Sequence, residues 1–435
     1  MTGTERPIRL RRTTPAARLV ALVTATALAA ASAPAHAQKG LPIVRDAEIE
    51  QLLREYTQPI LRAAGLAQQN VQVVIINDRS FNAFVADGRR IFVNGGALME
   101  AETPNQIIGV LAHETGHIAG GHLARMREQL ASASTQSIIA MILGAGALIA
   151  AGRSGSADLG QAGAAAIAGP AMAIQNTMFG YMRAQEEQAD RAGVKFLTAT
   201  GQSAKGMYET FKRLADQVLY QVRYMNPYMQ THPLPSERVA ALEGLAKASP
   251  YWDHKDSPAL QARHDLMRAK LYGFIERPDG VARRYPPSDT SLAARYARAI
   301  SAYRFSDPRA ALAQIDALIQ AQPQNPYFYE LKGQALVTTR DRAHVDEAVS
   351  ILQVAVLREP ESPDLYSQLA MAYGQKNDLA RADLASAQAA FMRGDIKTAR
   401  EIATRAKSRF PVGSPGWVKA DDLASLKPPQ SALRR

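Results

Sequence analysis

His113-Glu114-Thr115-Gly116-His117 sets two imidazoles four residues apart, with a carboxylate directly after the first. On a helix four residues turn by about 400°, so both histidines leave one face a turn apart and can share one metal ion. Glu114 is placed to take a proton from water at that ion, the arrangement of zinc hydrolases. A tetrahedral zinc site open to water needs a third protein ligand. His122 is the next histidine, but the longer three-histidine motif needs its third at position 123, which is Leu123. In a continuous helix His122 lies about 900° round from His113, on the opposite face, and is predicted to be structural or exposed. Glu186-Glu187-Gln188-Ala189-Asp190 offers a better partner. Glu186 and Asp190 share a helix face, so one can bind the metal while the other accepts a hydrogen bond from a ligand imidazole. Ala189 is small enough to let this helix approach the first. On residue types alone Glu187 competes with Glu186, and a solvated charged face is the plain alternative.

Composition supports a metal held by His and carboxylate. The 435 residues are 47% apolar and 21% charged and include no cysteine. That excludes a disordered chain, a disulfide scaffold, a thiolate zinc site and a cysteine nucleophile. The eight histidines are therefore the residues to inspect. Residues 1–37 carry five arginines and one glutamate, an apolar run from Leu19 to Ala33 and Ala35-His36-Ala37. This predicts a secretory signal peptide cut before Gln38, and the apolar run is short for a membrane anchor. Its removal takes the net charge from +11 to +7. The remaining positive charge has no basic run or aromatic interleaving, so nucleic acid is not an expected partner.

The elements that must hold these residues read as follows. Residues 41–66 predict a helix, 71–76 a strand, and 82–85 with 90–93 a hairpin across Asp87-Gly88, giving a small antiparallel sheet. Thr103-Pro104-Asn105-Gln106 predicts a helix start with a capping box, and the helix then carries His113 to His117. Residues 131–180 are alanine-, glycine- and serine-rich. Their uncharged run 138–151 suits a buried hairpin, a lid or a peripheral membrane contact. Beyond about 245 three stretches beginning at Asp307, Val345 and Gly394 each open a helix that a proline ends. Pro326 to Pro363 spans 37 residues, close to a tetratricopeptide period. The expected organisation is 38–245 as an α+β domain, 246–425 as an all-α tetratricopeptide-like repeat domain, and a disordered tail over 426–435. Stacked repeats of that kind hold peptides or partner proteins.

The His-Glu-x-x-His motif followed by Glu-x-x-Ala-Asp resembles the HtpX-like zinc metallopeptidases. Asn82-Ala83-Phe84 with Gly95-Gly96, Arg183, and Thr231-His232-Pro233 with Glu237-Arg238 also resemble that family. The order of signal peptide, peptidase domain and helical repeats is similar to its periplasmic BepA-like branch. The departure is Met182, where a serine commonly precedes the arginine. The resemblance implies a zincin-like fold and one zinc ion per chain held by His113, His117 and Glu186. It implies Glu114 as general base and Asp190 as a residue orienting a ligand. His232 would approach the zinc as a fourth ligand that keeps the enzyme latent, with an oxyanion role or no role as alternatives. A substrate strand is expected along Arg90, Ile91, Phe92 and Val93. These expectations describe a periplasmic endopeptidase of a Gram-negative bacterium that cuts misfolded envelope or outer-membrane proteins. The repeats would dock the client or the outer-membrane assembly machinery. The competing reading is a chaperone or assembly factor that works through its repeats, with a latent or structural zinc site.

Overall fold

The computed structural model describes residues 42–129, 131, 181–220 and 232–426. The expected signal peptide, the 138–151 run and all but the first residue of the expected tail lie outside them.

The chain begins with β1 (Ile43–Val44) and α1 (Ala47–Ala63). Apolar spacing predicts one helix from residue 41, but Asp46 divides the segment. Its carboxylate accepts from Ile49 N at 3.0 Å as the N-cap, so the helix starts after it. β2 (Gln72–Ile76), β3 (Ala83–Val85) and β4 (Arg90–Asn94) complete a sheet of order β1-β2-β4-β3. The pair β2–β4 is parallel and the others antiparallel, so the sheet is mixed rather than purely antiparallel. Residues 77–82 carry the chain past one strand position, and the hairpin returns β4 to fill it. The turn forms as expected: Gly88 takes a φ of +75°, and Asp87 Oδ1 accepts from Arg89 N at 3.1 Å and Arg90 N at 3.0 Å. Phe84 and Phe92 face each other across the hairpin with ring centroids 5.3 Å apart.

This strand order corrects the expected substrate edge. Arg90, Ile91, Phe92 and Val93 lie in a strand flanked by β2 on one side and β3 on the other, so their main-chain groups already serve the ladder. The edge on that side of the sheet is β3.

α2 (Gly95–Glu100) leads to α3 (Pro104–Ala119), which carries the His-Glu motif. The expected capping box does not form: Thr103 makes no side-chain cap bond, and Gln106 Oε1 accepts instead from Glu102 N, one residue before the cap, at 2.7 Å. Helical residues follow over 122–129 (α4) and 181–199 (α5), then α6 (Lys205–Tyr220) and α7 (Ser236–Lys247). Glycines bring α3 close to its neighbours. A Cβ on Gly109 would lie 2.5 Å from Met207 Cβ, and one on Gly116 would lie 2.7 Å from Ala189 O. The first core joins α1, the sheet, α3, α5, α6 and α7 through Leu53, Ile91, Leu111, Leu197, Phe211 and Leu242.

The rest is helical: α8 (Pro258–Ile275), α9 (Pro278–Arg284), α10 (Leu292–Phe305), α11 (Pro308–Ala321), α12 (Pro326–Thr339), α13 (Arg342–Arg358), α14 (Pro363–Gln375), α15 (Leu379–Met392), α16 (Ile396–Arg409) and α17 (Pro415–Ala424). The stretches beginning at Asp307, Val345 and Gly394 fall on α11, α13 and α16. Pro326 and Pro363 both occupy a first helical turn, where a missing N–H is harmless. Gly333 lets α13 approach α12, since a Cβ there would meet Leu352 at 2.3 Å. The architecture is thus an α+β region followed by packed helices of repeat type. α8 belongs to both parts: Met267 and Leu271 enter the first core, Leu266 and Ala269 the second. On its buried side Lys270 Nζ lies 2.8 Å from Asp46 and 2.9 Å from Glu48 and sits 5.2 Å over the Tyr327 ring, linking α1 to α12.

Candidate metal centre

α3 aims the two motif histidines at one point, as their spacing predicts. His113 Nε2 and His117 Nε2 lie 3.0 Å apart. α5, held close by Gly116 and Ala189, brings in Glu186, whose carboxylate oxygens lie 3.4 Å from His113 Nε2 and 3.3 Å from His117 Nε2. Glu187, the rival by residue type, is exposed and pairs with Arg191 at 2.7 Å. From the residues before α7, His232 adds Nδ1 at 3.1 Å from Glu186 and 3.4 Å from His113 Nε2. His113, His117, Glu186 and His232 each offer one donor atom, all within 4.8 Å of one another.

The five donor separations given above fit a small metal ion. Donors about 2.0–2.1 Å from a tetrahedral ion lie roughly 3.3–3.4 Å from each other, close to the 3.0–3.4 Å found here. Glu114 supplies a second test. It is fully buried, and neither carboxylate oxygen has a hydrogen-bond partner among the described residues. A buried carboxylate left so is costly unless the site brings it a partner. His232 Nε2 lies 3.5 Å from one of its oxygens.

Behind these groups the surroundings keep the carboxylates charged. Asp190 Oδ1 lies 2.9 Å from His113 Nδ1, the nitrogen facing away from the donor cluster. Arg238 grips Asp190 with two hydrogen bonds of 2.7 and 2.8 Å, reaches Glu186 at 2.8 Å and donates to Pro233 O at 2.8 Å. Burial opposes ionisation of Asp190, but Arg238 overrides it and holds the carboxyl below its usual range. Burial likewise opposes Glu186, and His232 with the hydrogen bonds from His113 and His117 outweighs it, so Glu186 stays well below its usual value. His113 is disfavoured as a cation by burial, yet Asp190 and Glu186 push it up to about 9. Burial lowers His117. The site is an ionised, water-poor pocket built to neutralise a positive charge.

Two residues acquire contacts that sequence spacing did not predict. Arg238, to which its motif assigns no role, is buried between Asp190, Glu186 and the Phe211 ring. His122 is neither exposed nor turned away, because α3 ends at Ala119 and Gly121 takes a φ of +63°. Helical angle arithmetic stops applying at that reversal. His122 Nδ1 lies 2.9 Å from His117 Nδ1, and burial with the neighbouring His117 and Arg125 lowers its pKa to about 4.

The donor cluster opens into a cleft of about 480 Å³ lined by Phe84 and Val85 of β3, Glu114, His117, Met126 and Arg127 among others. Arg90 to Val93 are not among its walls. Thus the structure brings together His113, Glu114, His117, Glu186, Asp190 and His232, and leaves Arg90, Ile91, Phe92 and Val93 outside.

Residues 45–246 match the pattern of peptidase family M48. A putative beta-barrel assembly-enhancing protease of Vibrio cholerae serotype O1 is 28% identical over 300 residues, covering 66% of this chain and 59% of the relative. Beta-barrel assembly-enhancing proteases of Yersinia pestis and Escherichia coli K12 are each 25% identical, over 351 and 304 residues, covering 77% and 67% of this chain and 67% and 58% of theirs. The chain thus spans about three fifths of the length of the Vibrio relative. Its His-Glu helix and the glutamate brought from α5 both lie within residues 45–246, the stretch of this chain that is similar to peptidase family M48.

Proposed function

We propose that the chain is a zinc-dependent endopeptidase of the Gram-negative periplasm acting on misfolded or misassembled envelope proteins, outer-membrane proteins among them. The observation that carries this reading is the convergence of His113, His117 and Glu186 beside a buried Glu114 whose oxygens lack hydrogen-bond partners among the described residues. His113, His117 and Glu186 would hold the ion, and Asp190 would orient His113. Zinc would supply Lewis acidity, acidifying water and polarising a peptide carbonyl. Glu114 takes the proton as water attacks the carbonyl carbon, then delivers it to the leaving amine nitrogen as the C–N bond breaks. An extended substrate would pair with the open edge of β3, Ala83–Val85, whose Phe84 and Val85 line the cleft.

His232 is proposed as a latency switch. Its Nδ1 is one of the four donor atoms, and as a fourth ligand it would keep water from the ion. The repeats are proposed to dock clients or the outer-membrane assembly machinery. The expected signal peptide supports the periplasmic setting, and the relatives' name, beta-barrel assembly-enhancing protease, supports a link to β-barrel proteins. No helix among the described residues is long and apolar enough to cross a membrane. The chaperone reading draws on the same position of His232, since a permanently occupied fourth corner would leave only the repeats to work.

Glu114→Gln is expected to bind zinc as wild type does and to cleave no unfolded substrate such as casein. Proteolysis at the wild-type rate by that variant would sink the mechanism. His232→Ala is expected to cleave several-fold faster than wild type. Absence of cleavage in both proteins, with zinc bound, would favour the chaperone.

A further inference from the structure

His117 has two ring nitrogens and two tasks. Its Nε2 faces His113 and Glu186, and its Nδ1 faces His122 Nδ1 at 2.9 Å, with the rings edge-on at 84°. An imidazole that gives its Nε2 lone pair to a cation carries its proton on Nδ1. That proton then points at His122 Nδ1, which can accept it only with its own lone pair. We infer that His122 is a positioning residue for the metal ligand His117, accepting the His117 Nδ1–H bond as a neutral imidazole protonated on Nε2. The inference rests on the metal reading above and adds to it which residue fixes the second histidine.

Three features build this contact. Gly121 reverses the chain through a positive φ, which a residue with a side chain rarely adopts. Gly120 leaves room for the returning ring, since a Cβ there would stand 2.3 Å from His122 Nε2 and 2.6 Å from Cδ2. His122 is 3% exposed, so water does not compete for its nitrogen, and Gln185 donates to its main-chain oxygen at 3.3 Å. The two helix-borne ligands are therefore backed unequally. His113 Nδ1 faces an anion, Asp190 Oδ1, at 2.9 Å, and His117 Nδ1 faces a neutral imidazole. A carboxylate acceptor makes its imidazole more basic. An imidazole acceptor fixes the partner's tautomer and ring angle without adding negative charge, so the ion keeps more of its Lewis acidity.

The test uses the mature full chain and zinc affinity measured by chelator competition. His122→Phe keeps a flat ring and removes the acceptor; His122→Asn restores an oxygen near the place of Nδ1. Gly120→Ala pushes the ring off while leaving His122 in the chain. We expect zinc affinity to fall about 10–100-fold in His122→Phe and in Gly120→Ala and to return to within about threefold of wild type in His122→Asn. Nitrogen-15 histidine spectra of the zinc-loaded wild type should show His117 protonated at Nδ1 and His122 protonated at Nε2 and bare at Nδ1. Wild-type affinity in His122→Phe, equal loss in the Phe and Asn variants, or a proton on His122 Nδ1 would each overturn the assignment while leaving the metal centre standing. A wild-type protein that takes up no zinc would overturn the metal reading and this assignment together.

Discussion

Replacing Arg238 with methionine keeps much of the side chain's bulk over Phe211 and deletes its charge. In the native protein the guanidinium makes two hydrogen bonds to Asp190, at 2.7 and 2.8 Å, and lies 2.8 Å from Glu186. All three side chains are less than one tenth exposed. The variant therefore leaves two carboxylates, four residues apart on one helix face, without their common counter-charge and without water. Removing one partner of a buried ion pair costs about 3–5 kcal/mol. Because one cation here serves two anions, we expect a loss near the upper end of that range, about 4–5 kcal/mol. The measurement is urea unfolding of zinc-free protein at pH 7, followed through Trp252, which packs on the first core, in a Trp417→Phe background that silences the only other tryptophan. The pH dependence has a definite sign. Arg238 holds Asp190 below its usual value, so its contribution is full above about pH 4 and is lost as pH falls through the lower folded value. In the variant, burial acts on Asp190 without that opposition, and protonation then relieves the strain. The deficit should be largest near neutrality and shrink below about pH 5. Saturating zinc should restore part of it, since a ligand of the native state alone stabilises by mass action. A loss under about 1 kcal/mol at pH 7, or a deficit unchanged in acid, would refute the account of Arg238 as the shared counter-ion.

Gly116→Ala places a methyl group 2.7 Å from Ala189 O and must push α3 from α5; we expect about 1–3 kcal/mol lower stability and weaker zinc uptake in equilibrium dialysis, and unchanged values in both would contradict the close-packing argument. Glu330, beside Lys270 at the junction of the two parts, has its pKa pushed up to about 7 by burial, which Lys270 opposes. An acid whose folded value exceeds its unfolded one makes the native state bind more protons, so stability should fall as pH rises from about 4.5 to 7 and level off above. Glu330→Gln should flatten that slope by on the order of 1–3 kcal/mol in thermal or urea unfolding, and a persistent wild-type slope would assign it to other groups.

The two motif histidines and Glu114 were legible because one regular helix carries them, and on a regular helix spacing is direction. Glu186 and Asp190 were legible as a pair for the same reason, but choosing Glu186 over Glu187 needed the family resemblance. The face of His122 was not legible from spacing, because the helix that would fix it stops at Gly120-Gly121, a pair that also reads as a helix stop. Arg238 offered no local signal, since its partner Asp190 is 48 residues away and the contact depends on how α5 and α7 pack. The sheet shows the same limit. Alternation and turn residues marked β3 and β4 as a hairpin, but which strand lies inside depends on the path of residues 77–82. That path decided whether Arg90 to Val93 could receive a substrate.

Among the described residues, the edge left open by β3 is three residues long. Main-chain hydrogen bonds contribute about 1 kcal/mol each, so two or three of them leave a free peptide bound at about millimolar strength or weaker once association is counted. As a substrate grip, so short an edge would read little sequence and hold nothing for long. A protein already held elsewhere on the same molecule meets that cleft at an effective concentration of about millimolar, enough to fill it. Capture would then decide which proteins are cut, and β3 only where.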